Sequence, residues 1–517
     1  MTRGVSRSIQ HKVKHMMKAQ LSLDPAFVVA DVRRRTFGSF VEHMGRCVYT
    51  GIFEPRHETA DEDGHRRDVL DLAREMGVTM VRYPGGNFVS GYRWEDGIGP
   101  VMHRPRRLDA AWHSAETNEH GIGEFILWTR KAGVEPNYAI NLGTRGVQEA
   151  LDLLEYANHP GGTYWSDLRI AHGHAEPFGI KMWCLGNEMD GPWQTGHKTP
   201  YEYGRLAAET ARAMRQRQSG LELVACGSSN SSMPTFGTWE ATVLQECYDQ
   251  VDFISAHAYY NERAAGDLAS FLASAVDMES FIEDVASTAD HIGAKLRSRK
   301  RINISFDEWN VWDNAATGTP TVDWPSAPRV GEDTYTLADA VVVGSLLITL
   351  LRHSDRVTAA CQAQLVNALA PLRSEAQGMA WRQASFWPFA HASRLAKGKV
   401  LDTHVVGPNY PNERFGDTPV IHSVVTHDEE SSELVVFVVN RHLEEPVELS
   451  VGLRAFPGYR VVEHVILDDE DVHAMNTEQE PDRVQPRRAE SSQVDGEDAQ
   501  VLLPPVSWSF VRLRPNG

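Results

Sequence analysis

Between Phe37 and about Asn367 one theme recurs: a short apolar run rich in β-forming residues ends in polar side chains, and a helical segment follows. Eight such runs are present: Phe37–Val41, Met80–Tyr83, Asn137–Asn141, Ile180–Leu185, Leu221–Cys226, Val251–Ala256, Ile302–Phe306 and Ala359–Val366. Short continuous apolar runs between helical patterns indicate parallel strands buried on both faces and joined by crossover helices. The helical segments carry ordinary signals. Val69, Leu70, Leu72, Ala73 and Met76 make an apolar face, with Gly77 where a left-handed C-terminal residue belongs. Tyr203, Leu206, Ala207, Thr210 and Met214 make another. Eight strand–helix units predict an α/β chain whose residues 36–375 form a (β/α)₈ barrel with insertions. A doubly wound sheet is the competitor, but no G-x-G-x-x-G opens a helix here.

After roughly residue 375 the pattern changes. Leu434–Val439, Val447–Val451, Tyr459–Leu467 and Val506–Leu513 are short alternating or apolar runs between turn-forming and charged residues, with no convincing helix among them. Residues 376–517 are therefore expected to form an antiparallel, jelly-roll-like β-sandwich. The acid-rich stretch Asp468–Asp498 reads as a long surface loop. Residues 21–35 look extended and are expected to join the sandwich. Residues 1–20 are basic, contain Lys12, Lys14 and Lys18 and have no apolar core of a secretory signal, which reads as a solvated leader.

Charge narrows the partners. Seventy acidic against 51 basic residues give a net charge of −19, which disfavours nucleic acid and anionic membrane surfaces. The longest apolar run, Ala340–Leu351, is far short of the roughly 20 residues of a spanning helix. Five scattered cysteines without a C-x-x-C pair read as reduced thiols of a cytoplasmic protein.

In a barrel of this kind the chemistry collects at the C-terminal strand ends. The first run is followed by Glu42 and His43, the second contains Arg82 and leads to Pro84-Gly85-Gly86-Asn87, and the fourth ends in Gly186-Asn187-Glu188. The sixth is followed by His257, Tyr259 and Tyr260, the seventh by Asp307-Glu308-Trp309-Asn310-Val311-Trp312, and the eighth contains Gln364 and precedes Asn367. Facing carboxylates among amides and aromatics are the apparatus of glycosidic bond cleavage, one holding a proton and the other ionised. Glu188 and Glu308 are the best pair. Glu42 reads equally as an ion-pair partner of Arg82 or Arg46 and as a ligand contact, and Tyr259 and Trp312 are either core or site aromatics. His172-Gly173-His174 lacks neighbouring metal ligands and reads as a loop. Pro84-Gly85-Gly86-Asn87 reads as a tight turn that places Asn87.

These stretches carry a family resemblance. Phe37-Gly38-Ser39-Phe40-Val41-Glu42-His43, Arg82-Tyr83-Pro84-Gly85-Gly86-Asn87-Phe88 and Trp94-Glu95-Asp96-Gly97-Ile98-Gly99-Pro100 belong to it. So do Trp183-Cys184-Leu185-Gly186-Asn187-Glu188-Met189-Asp190-Gly191-Pro192-Trp193, Ser305-Phe306-Asp307-Glu308-Trp309-Asn310-Val311-Trp312 and Gln362-Ala363-Gln364-Leu365-Val366-Asn367. From about residue 21 onward the chain resembles the α-L-arabinofuranosidases of glycoside hydrolase family 51. The resemblance implies a retaining, exo-acting hydrolase with Glu188 as acid/base and Glu308 as nucleophile. It further implies that Glu42, Asn87, Asn187, Tyr259 and Gln364 hold the arabinofuranose, with Trp112 and Trp312 near the mouth and His257 and Arg82 completing the binding set. No metal or organic cofactor is expected, and the implied assembly is a cytoplasmic homohexamer acting on arabinan, arabinoxylan or short oligosaccharides. The alternatives are a related barrel glycosidase, such as a β-xylosidase or endoglucanase, and a non-catalytic glycan-binding protein.

Overall fold

The computed structural model describes residues 16–313, 323–489 and 492–516. Eight parallel strands close into a barrel: β1 (Gly38–Phe40), β2 (Met80–Tyr83), β3 (Glu135–Ala139), β4 (Met182–Leu185), β5 (Glu222–Ala225), β6 (Phe253–Tyr260), β7 (Asn303–Val311) and β8 (Val357–Ala363). They follow one another around the ring in chain order, and β8 pairs with β1. All eight apolar runs are barrel strands.

Two apolar sets alternate along these strands, as a period of two requires. Met80, Met182, Cys184, Val224, Phe253, Ala359 and Cys361 pack inside the barrel. Their neighbours Val81, Trp183, Leu223, Ile254 and Ala360 pack outward among the helices. All five cysteines are free and buried. The helix Arg67–Met76 ends at Gly77 with φ 77°, the left-handed turn its sequence announces. The helix Leu337–Arg352 is buried almost all round, because one side covers barrel strands and the other the C-terminal sheets.

Two sheets make up the C-terminal part. One orders His404–Val406, Met17–Ser22, Val447–Gly452, Asp498–Leu503 and Gln493–Asp495. The other orders Val28–Asp31, Lys399–Leu401, Ile421–Asp428, Glu433–Asn440, Ser507–Pro515, Tyr459–Leu467 and Arg487–Arg488. The N-terminal segment thus adds one strand to each. Pairing is antiparallel throughout, except that Met17–Ser22 runs parallel to Val447–Gly452.

Three expectations need correction. The leader ends before Met17, because Ala19 and Leu21 bury alternate side chains in a sheet; residues 1–15 lie outside the described residues. A helix, Phe386–Leu395, lies beyond residue 375 and packs on Arg67–Met76 and Leu337–Arg352, so the barrel's helical coat runs to Leu395. Pro388 lies in its first turn, where proline is tolerated. The stretch Asp468–Asp498 is not a free loop. Arg487–Arg488 and Gln493–Asp495 pair with strands, and Ala338 N donates to Val472 O at 2.9 Å where the stretch crosses the start of Leu337–Arg352; residues 490–491 are outside the described set.

Candidate active site

Asp307 and Glu308 are neighbours on β7, and strict alternation would turn one of them out of the barrel. The β6–β7 register slips between Ser255 and His257, and the β7–β8 register between Phe306 and Trp309. This bulged stretch lets both carboxylates face the interior. Arg82 on β2 is buried beneath them. Its Nη1 donates to Glu308 Oε1 at 2.7 Å and its Nη2 to Asn187 Oδ1 at 2.6 Å, while its Nε stands 3.7 Å from Asp307 Oδ2. Tyr259, on β6, donates its hydroxyl to Glu308 Oε2 at 2.8 Å. The second glutamate follows β4 through a tight turn, with Gly186 at φ 98° and Glu188 itself at φ 42°. A glutamate rarely adopts that left-handed backbone, and it persists only where the surroundings hold it.

His257 ties the two strands together. Its Nδ1 lies 2.9 Å from Glu188 Oε1 and its Nε2 2.9 Å from Asp307 Oδ1. Burial disfavours a charged ring, but the carboxylates of Glu308, Asp307 and Glu188 outweigh it and hold His257 well above the usual histidine range. An imidazolium donating from both nitrogens fits these partners. Burial also pushes Asp307 upward, but the Arg82 guanidinium and His257 reverse this and keep it low. Glu188 is raised by burial above all and by the Glu308 charge, against the hydrogen bonds from His257 and from Trp193 Nε1, which donates to Oε2 at 2.6 Å. The two glutamates are thus in different surroundings, Glu308 bonded to the Arg82 guanidinium and Glu188 raised by its burial and by the Glu308 charge. An oxygen of Glu188, an oxygen of Glu308 and a ring nitrogen of His257 all lie within 4.8 Å of one another.

Glu42, at the end of β1, is the third carboxylate. Oε1 accepts from Phe88 N and from Trp112 Nε1, both at 2.9 Å, and Oε2 accepts from Gln364 Nε2 at 3.3 Å. Burial, with the Glu308 charge second, pushes it up to about 8. The turn Gly85-Gly86 wraps this carboxyl, and a Cβ on Gly86 would meet Glu42 Oε2 at 2.4 Å. So the glycines are needed for close approach, and the turn places Asn87 at the cavity wall.

A cavity of about 630 Å³ opens over this constellation. Glu42, Asn87, Trp112, Glu188, Tyr259, Glu308, Trp312 and Gln364 line it, eight of the eleven site residues expected from sequence. Arg82, Asn187 and His257 lie beneath the wall instead, where they orient the carboxylates. Neither ion pair considered for Glu42 forms. Arg82 serves Glu308, and Arg46 Nε binds Glu332 Oε1 at 2.6 Å, leaving Glu42 with uncharged donors. Tyr259 and Trp312 meet edge to face, 5.1 Å apart, as site aromatics rather than core. His172 is bonded through Nδ1 to the Tyr156 hydroxyl at 3.1 Å and belongs to no metal-ligand cluster among the described residues. Sequence reasoning missed the roles of Asp307 and Trp193, although both stand inside the quoted motifs. It also missed Ser229, Asn230, Ser231, Ser232, Asp277 and Arg414, which line the cavity without any local signal.

Comparison with known proteins follows the same lines. The family profile described as "Alpha-L-arabinofuranosidase 1 domain" matches residues 72–290, and "Alpha-L-arabinofuranosidase C-terminal domain" matches residues 307–507. The intracellular exo-α-(1→5)-L-arabinofuranosidase of Streptomyces lividans is 58% identical over 501 residues, 96% of this chain and 75% of that protein. The exo-α-(1→6)-L-arabinofuranosidase of Bifidobacterium longum is 50% identical over 519 residues, 98% of this chain and 99% of the relative. A solved family 51 α-L-arabinofuranosidase from Bifidobacterium longum superposes with a TM-score of 0.93 at 49% identity, covering 96% of this chain and 99% of its own.

Proposed function

This chain belongs to the α-L-arabinofuranosidases of glycoside hydrolase family 51 and is an exo-acting enzyme of that kind; from that premise we propose that it removes terminal non-reducing arabinofuranosyl units with retention, using Glu308 as nucleophile and Glu188 as acid/base. The observation that carries the reading is the approach of the two glutamates, whose oxygens come within 4.8 Å of each other. Retaining glycosidases keep the pair about 5–5.5 Å apart, whereas inverting ones need about 6.5–9.5 Å to admit a water. Glu308, aligned by Arg82 and Tyr259, attacks the anomeric carbon as the glycosidic bond breaks. Glu188 gives its proton to the departing oxygen. It then takes a proton from the water that attacks the same carbon, which frees Glu308. The His257 bridge holds Glu188 in place for both transfers.

The glycone would rest against Glu42, Asn87 and Gln364, with Trp112 and Trp312 at the sides and the buried Asn187 amide supplying an unpartnered donor. The names of the relatives differ in linkage, (1→5) in one and (1→6) in another. We assign short arabino-oligosaccharides as substrates and a cytoplasmic location, in keeping with relatives described as intracellular. No helix among the described residues is long and apolar enough to cross a membrane. The homohexamer implied by the resemblance predicts a light-scattering mass six times that of the 57.7 kDa chain.

Two variants test the roles. Glu188→Ala should still form the glycosyl-enzyme from an aryl arabinofuranoside with a good leaving group, and added azide should accelerate its turnover. Without an azide effect the acid/base assignment falls. Glu308→Ala should be inactive on every substrate, and retained activity would remove it as nucleophile.

A further inference from the structure

The cavity has two walls, and the cleaved sugar accounts for one of them. β8, β1 and β2 carry Gln364, Glu42 and Asn87 to the first wall. Across the ring, β4, β5, β6 and the segments after them carry Glu188, Ser231, Tyr260 and Asp277 to the second. An acid that protonates a departing oxygen must stand on the leaving-group side, so the second wall faces the leaving sugar. This step rests on the reading of Glu188 given above.

That wall is completed from outside the barrel. A hairpin of the C-terminal part, Asn409–Asn412 with Gly416–Pro419, reaches the barrel mouth, and Arg414 at its tip lines the cavity. The hairpin is pinned there. The Tyr410 hydroxyl donates to Ala269 O at 3.0 Å, Arg414 N donates to Ser270 Oγ at 3.2 Å, and Phe415 packs against a cluster that includes Ala273. Asn412 Oδ1 accepts from Phe415 N at 2.8 Å and fixes the tip. The Arg414 guanidinium lies 5.4 Å from the Phe415 ring centroid, is exposed, and has no ion pair among the described residues. Nearby, Asp277 is occupied by the hydroxyls of Ser231 and Tyr260, at 3.0 and 2.9 Å. A guanidinium with unused donors, carried on a pinned hairpin beside a sugar-binding cavity, suits oxygen acceptors.

We propose that Arg414 is a leaving-group recognition residue, donating hydrogen bonds to hydroxyl oxygens of the neutral sugar that departs, so that the C-terminal part completes the substrate site. A para-nitrophenyl leaving group offers no such hydroxyls. The test compares α-linked arabinobiose with para-nitrophenyl α-L-arabinofuranoside as substrates of the full-length enzyme and of Arg414→Gln and Arg414→Lys. A hydrogen bond from a charged donor is worth about 1.5–3 kcal/mol, so Arg414→Gln should lower the ratio of kcat/KM, arabinobiose over aryl glycoside, about tenfold or more. Arg414→Lys should recover part of it. A ratio within twofold of wild type, or an equal loss on both substrates, overturns the proposal while leaving the function intact. A wild-type enzyme unable to cleave the aryl furanoside overturns both.

Discussion

Glu42 shows how far the site departs from what stability alone would choose. Its carboxyl is buried against three uncharged donors, and its pKa of about 8 stands well above the 4.5 of a free glutamate. A group raised in the folded state contributes its full stability below its unfolded pKa and loses it as pH rises through the folded value. Between pH 4.5 and 8 the native protein therefore loses about 1.4 kcal/mol per unit from this residue. Glu42→Gln removes the titration. Chemical denaturation across that range should show the variant gaining on wild type as pH rises and levelling off above 8, while kcat/KM falls. A stability difference independent of pH would contradict the burial argument. Glu188 and Glu308 are legible in sequence because polar residues at the ends of barrel strands have one place to go. Asp307 and Arg414 were not, since their roles depend on partners brought from other strands or from the second part of the molecule; Trp193 was not, because only the folded turn brings its indole back onto Glu188, five residues earlier.

At the scale of elements, the apolar runs located every barrel strand but ended β6 and β7 early. The runs stop at Ala256 and Phe306, whereas the strands continue to Tyr260 and Val311. His257, Tyr259, Asp307 and Glu308 interrupt the apolar pattern there because they serve the site, and polar residues in a sequence read as loop. The helix Leu337–Arg352 makes a sharper test. At Gly344 an added Cβ would meet Trp508 Cδ1 at 2.2 Å, and that indole is buried beside Phe437 and His391. Alanine improves helix propensity by roughly 1 kcal/mol over glycine. Overpacking a rigid ring costs about 1–3 kcal/mol, so the clash prevails. Gly344→Ala should lower the denaturation midpoint; a rise would mean the helix and sheet are less closely fitted than described.

Across the whole molecule the barrel's helical coat and the seven-stranded C-terminal sheet share one apolar cluster. A single apolar cluster runs from barrel strands through Leu337–Arg352 to Val424, Phe437, Trp508 and Phe510. Arg441 Nη2 and His422 Nδ1 both bond Ser345 Oγ, at 3.0 and 2.8 Å, inside that interface. Neither part can unfold without exposing the other's apolar face, so calorimetry should record one cooperative transition. Two separated transitions would contradict the shared core. The sequence could not reveal this coupling, since the same helix pattern serves a barrel coated only by other helices.

Double displacement by Glu308 and Glu188 fixes the stereochemistry of the product. Cleavage of an aryl α-L-arabinofuranoside in the presence of methanol, with the methyl glycoside identified by proton NMR, reads the configuration before the free sugar can mutarotate. Retention yields methyl α-L-arabinofuranoside. Formation of the β anomer would contradict it and require a water-sized gap between the two glutamates.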